Sequence, residues 1–110
     1  MIAIREESAF VRRVGEFFSP TGPLSKAKHF EYRPEQQRMA EAVARALEEE
    51  RHLAVEAGTG VGKSLAYLVP AVWHAHLMKR KAVICTHTIN LQEQLILKDI
   101  STLKKLLPIE

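Results

Sequence analysis

The sequence predicts an α/β fold, a parallel sheet with flanking helices, and three observations carry that prediction. A short apolar segment, Leu53-Ala54-Val55, runs into a glycine-rich turn that ends in Lys63-Ser64. A helical pattern follows that turn from about residue 63 to residue 78. A second apolar run, Ala82 to Thr86, comes next and is apolar throughout, as parallel strands covered on both faces usually are. The order helix, helix, strand, loop, helix, strand, helix is the opening βαβα of a layered α/β domain.

Each element has its own reason. Residues 7–18 place Phe10, Val11, Val14, Phe17 and Phe18 at helical spacing, with Arg12, Arg13 and Glu16 on the other face. The expectation is a helix docked on its own core; a partner-binding surface helix is the sharper alternative. Ser19-Pro20-Thr21-Gly22-Pro23 stops it in a turn or short linker, so residues 1–30 read as an N-terminal helix plus a Pro/Gly linker. From Arg33 the pattern is helical again. Pro34 suits a first helical position and Glu35 favours the positive end of the helix. Met39, Val43, Ala46 and Leu47 are the expected buried stripe, and Glu41, Glu48, Glu49 and Glu50 the solvated face.

The strand at 52–56 feeds Glu56-Ala57-Gly58-Thr59-Gly60-Val61-Gly62-Lys63-Ser64, which reads as a phosphate-binding loop. Three alternating glycines let the backbone bend around a phosphate with its N–H groups inward. Lys63 would reach the β- and γ-phosphates, and the Ser64 hydroxyl would ligate magnesium. The next helix adds unpaired N–H groups and the positive end of its dipole. Ala57 stands where the usual pattern has its first glycine, which is tolerable with φ below zero. A ligand-free glycine turn is the bland alternative.

The helix from about 63 to 78 is apolar nearly all round, which suits a covered helix, and Pro70 should kink or divide it. Lys79-Arg80-Lys81 ends it, the strand Ala82 to Thr86 follows, and a last helix is expected from about Asn90. In a right-handed βαβ unit the loops after both strands share one edge of the sheet. That would bring Thr86, His87 and Thr88 beside the phosphate loop and send Lys79-Arg80-Lys81 to the opposite edge. The plain reading of Thr86-His87-Thr88 is a polar turn capping the last helix.

The chain has 110 residues, 46% hydrophobic and 26% charged, ordinary values for a globular chain. A complete nucleotide-hydrolysing domain of this class usually needs roughly 150–200 residues. The formal charge of +3 and pI near 9.2 are compatible with a nucleic-acid partner without requiring one. Cys85 is the only cysteine, so no disulfide or cysteine-based cluster forms within these residues, and its apolar surroundings predict burial. No apolar run is long enough to span a bilayer and the N-terminus lacks a signal core, so the expected compartment is cytoplasmic.

Residues 57–64 followed by Leu65-Ala66-Tyr67-Leu68-Val69-Pro70 resemble motif I of the superfamily 2 helicases related to XPD, especially the bacterial DinG-type branch. Val83 through Leu95, containing Thr86-His87-Thr88, resembles that branch's motif Ia. Tyr32-Arg33-Pro34-Glu35-Gln36 resembles the Q-type motif that recognises adenine. The resemblance covers roughly residues 30–107, with its three parts in the family's order. It implies a RecA-like P-loop NTPase fold and an ATP-dependent DNA helicase of 5′→3′ polarity. Residues 31–110 would be the N-terminal part of an incomplete first helicase domain. Ala57, Gly58, Thr59, Gly60, Val61, Gly62, Lys63 and Ser64 would bind ATP, with Lys63 catalytic and Ser64 on Mg2+. Gln36, with Gln37 as the alternative, would contact adenine. Thr86, His87 and Thr88 would line the path of single-stranded or forked DNA.

The same resemblance implies segments that these 110 residues do not contain: an iron–sulfur segment with four cysteines, an acidic Walker B box, and a second domain with an arginine finger. The expectation is the N-terminal piece of a longer enzyme or a truncated reading frame, unable to hydrolyse ATP alone, with any iron–sulfur cluster confined to the full-length parent. Two other readings stay open. A small-molecule P-loop kinase would show phosphate transfer without DNA stimulation, although such kinases commonly place this loop near the chain start. A non-catalytic ATP- or DNA-binding module would bind nucleotide and never hydrolyse it.

Overall fold

The computed structural model describes residues 8–27, 30–56, 62–85 and 104–107. Its principal elements are three helices: α1 (Ala9–Phe17), α2 (Pro34–Glu48) and α3 (Lys63–Met78), with a 3-10 turn at Pro23–Lys26. Ser8 caps α1, its Oγ accepting the Val11 N–H at 3.1 Å, which satisfies one donor left over at the helix start. Phe10, Val11, Val14 and Phe17 turn inward, as their spacing predicts. Phe18 and, from the 3-10 turn, Leu24 join the same core.

Proline opens α2 as expected, but its buried face is not the expected one. Gln36, Ala40 and Ala44 are buried, while Met39, Val43, Ala46 and Leu47 are only half-buried. Small side chains won because α2 packs closely on α3, its largest interface, where Ala40, Ala44 and Ala66 are all fully enclosed. Larger residues at those three positions would hold the helices apart. The displaced residues instead line an open groove with Leu53, Val55 and Tyr67.

Helix α3 begins at Lys63 and runs through Pro70 as one element rather than dividing there. Ala66, Leu68, Val69, Pro70 and Trp73 are buried, whereas Leu77 and Met78 at its far end are half exposed. Trp73 is the hub joining α1 to α3. Phe10 and Phe17 meet it edge-on with ring centroids at 6.0 and 6.3 Å, and the Arg13 guanidinium lies 5.1 Å from its centroid.

The α/β expectation fails among the described residues: they are helical, with no strand and no sheet. The segments read as strands, 52–56 and 82–86, carry no ladder among the described residues, which reach Cys85 in the second. Leu53 and Val55 are 46% and 44% exposed and Val83 is 85% exposed, while Ile84 alone of these two segments is half-buried against the core, so neither segment has a fully covered face. Cys85, expected in a core, is exposed for the same reason. Apolar composition gives a segment β-propensity, but a strand is held by partner strands and by packing of its faces. Among the described residues neither segment has a partner strand and Ile84 alone packs on the core, so the parallel-sheet description, RecA-like P-loop NTPase included, is withdrawn. The expected helix from Asn90 lies outside the described residues. Among those residues, no helix is long and apolar enough to cross a membrane.

Candidate functional site

The described part of the glycine-rich loop is its exit. Gly62 takes φ 75° and ψ 45°, the left-handed conformation, immediately before Lys63 starts α3. A side chain there would strain the backbone and collide with Gln36, so glycine is required twice over. No side chain caps the start of α3. Lys63 is exposed and Ser64 half-buried in the first turn. An uncapped helix start beside a lysine and a hydroxyl is suited to an anion.

Gln36 joins this corner from α2. It is the buried polar side chain among the described residues, 4% exposed, and its Nε2 donates to the Gly62 carbonyl at 3.1 Å. The same carbonyl accepts the Ala66 N–H at 3.3 Å, the first intrahelical bond of α3. Two donors from different helices therefore hold the peptide that ends the loop. Gln37 points elsewhere: its Oε1 accepts from the Tyr32 hydroxyl and its Nε2 donates to the Gly15 carbonyl, both at 2.7 Å. The two neighbouring glutamines thus serve different contacts, Gln36 reaching the loop and Gln37 reaching α1.

The other expected site residues cannot be located in this way. Ala57, Gly58, Thr59, Gly60 and Val61 lie outside the described residues, as do Thr86, His87 and Thr88. With no sheet among the described residues, the topological argument that brought the Thr86 segment beside the loop loses its support. At the other end of α3, Lys79-Arg80-Lys81 stands with the end of α2, Arg80 pairing with Glu50 at 3.6 Å and Arg51 pairing with Glu49. Among the described residues no cluster of three or more His, Cys, Asp or Glu could hold a metal ion. Sequence reasoning missed the Gln37 bridge to α1 and the Arg13–Trp73 contact. Neither leaves a periodic or spacing signal.

Comparison with known proteins agrees with the motifs on either side of this corner. The model of the DEAD/DEAH box helicase family matches residues 33–108, from the residue before α2 across the loop and α3. The chain belongs to that family. It is similar to the ATP-dependent DNA helicase YoaA of Haemophilus influenzae, 40% identical over 99 residues that make up 89% of this chain and 15% of the relative. The Escherichia coli YoaA is 45% identical over 82% of this chain and 14% of the relative. The ATP-dependent helicase DinG of Mycobacterium tuberculosis is 54% identical over 62% of this chain and 10% of the relative. The chain spans about one seventh or less of the length of these relatives. No solved structure matches it.

Proposed function

We propose that the chain carries the ATP-binding elements of an ATP-dependent DNA helicase of 5′→3′ polarity. The observation that carries this reading is the Gly62–Lys63–Ser64 corner: a left-handed glycine, an uncapped helix start, an exposed lysine and a hydroxyl in sequence, inside the segment matched to the helicase family. The N–H groups and Lys63 place positive charge where the β- and γ-phosphates would lie. Ala57, Gly58, Thr59, Gly60, Val61 and Gly62 are the other residues assigned to ATP binding. The donor set also suits Mg2+, with Ser64 as its protein ligand. When bound, the ion draws charge from the phosphate oxygens during transfer. Gln36 sets adenine preference, its carboxamide having a further hydrogen and a carbonyl oxygen beyond the bond to Gly62. Thr86, His87 and Thr88 contact single-stranded or forked DNA through phosphate oxygens.

Within residues 1–110 no Asp-Glu box supplies the acid that orients water, and no arginine finger is assigned. An arginine finger alone is worth about 10³–10⁵ in turnover. These residues by themselves therefore bind Mg-ATP weakly and do not hydrolyse it, and their single cysteine, Cys85, cannot alone hold an iron–sulfur cluster.

Radiolabelled ATP with purified residues 1–110, with and without single-stranded DNA, tests this reading. The expected result is ATP retained on a filter with no phosphate released in either condition. Phosphate transfer to a sugar or nucleoside without DNA stimulation would favour a kinase and overturn it.

A further inference from the structure

The amides of Gln36 and Gln37 leave α2 about 100° apart around its axis and tie it to two different helices. Gln36 holds Gly62 at the start of α3. Gln37 has both ends of its amide committed, to Tyr32 before α2 and to Gly15 in α1. Gly15 is buried against Glu41 of α2, where an added Cβ would stand 3.1 Å from the carboxyl carbon. The α1 backbone therefore comes close enough to α2 for its carbonyl to be reached. Helix α1 in turn grips α3 through Phe10, Phe17 and Arg13 around Trp73. The contacts close a ring: α1, Gln37, α2, Gln36, Gly62, α3, Trp73 and back to α1. Helix α1 lies outside residues 33–108, the part that the family model matches.

We infer that Gln37 is a positioning residue for the nucleotide site, holding the first turn of α2 against α1 so that Gln36 meets the Gly62 carbonyl; the inference rests on the reading of that corner as an ATP site. The alternative is that Gln37 only fastens α1. The two differ in one respect. If Gln37 acts through Gln36, its removal matters only while Gln36 is present.

The test uses Gln37→Ala, Gln36→Ala and the double variant in the full chain, with Lys63→Ala as a control on the site itself. Two quantities are read: hydrogen exchange of the Ala66 amide without nucleotide, and affinity for the fluorescent nucleotide mant-ATP with Mg2+. Gln37→Ala is expected to speed Ala66 exchange and weaken mant-ATP about fivefold, the scale of one hydrogen bond. In the Gln36→Ala background it should add less than about twofold. Gln37→Glu, which can accept from Tyr32 but cannot donate to Gly15 when ionised, gives the same reading should the alanine variant not fold. Wild-type exchange and affinity in Gln37→Ala, or losses that multiply in the double variant, overturn the inference and leave the site assignment standing. If mant-ATP binding is absent or indifferent to Lys63→Ala, the site assignment falls, and Ala66 exchange alone still decides the role of Gln37.

Discussion

Gly62→Ala should destabilise the protein by about 2–5 kcal/mol, and the sum can be worked from its surroundings. At φ 75° an alanine pays roughly 1–2 kcal/mol for the left-handed conformation. Its Cβ would overlap Gln36 Nε2 and sit 3.1 Å from Gln36 Cδ. Gln36 is buried, so it can yield only by giving up its bond to the Gly62 carbonyl. Leaving that amide unsatisfied costs about 1–3 kcal/mol more. The two costs are separable. In Gly62→Ala/Gln36→Ala the collision is gone, so the double variant should be less damaged than the single losses added together, by about 1–2 kcal/mol. Urea unfolding followed by the fluorescence of the single tryptophan, buried Trp73, measures all four corners of the cycle. A Gly62→Ala loss below about 0.5 kcal/mol, or additive losses, would refute the packing described for this corner.

Further outcomes follow from other contacts. Lys79 ends α3 at φ 54°, so Lys79→Gly should raise stability by about 0.5–1 kcal/mol in the same assay. Trp73→Ala, which removes the hub between α1 and α3, should cost about 3–5 kcal/mol by circular dichroism melting in urea. Thr86→Val and Thr88→Val should each weaken single-stranded DNA binding by about 0.5–1.5 kcal/mol in fluorescence anisotropy. Unchanged affinity in both would leave those threonines a capping role only.

What could be read from the sequence was local. Pro34 and the Lys63–Met78 pattern gave the starts of α2 and α3, because proline and a glycine exit act on their own neighbourhood. The Phe10–Phe17 spacing gave the inward face of α1 in the same way. The strands were misread because Leu53-Ala54-Val55 and Ala82–Cys85 are apolar segments whose fate depends on distant partners. Composition alone does not supply those partners. The buried face of α2 was misread for a related reason: large apolar residues are the usual guess, but close approach to α3 selected Ala40 and Ala44. At the proposed site, the placement of Gly62, Lys63 and Ser64 at the start of α3 was legible because these residues are consecutive. The division of roles between Gln36 and Gln37 was not, since one step along a helix changes which neighbour a side chain meets.

The most direct measurement of the central claim is calorimetric titration of Mg-ATP into the wild-type protein and into Lys63→Ala. A charge-assisted contact is worth about 1.5–3 kcal/mol, so removing Lys63 should weaken ATP at least about tenfold while leaving the unfolding midpoint of the ligand-free protein in place, as befits an exposed side chain. Equal ATP affinity in the two proteins would contradict the assignment of the α3 start as the phosphate site.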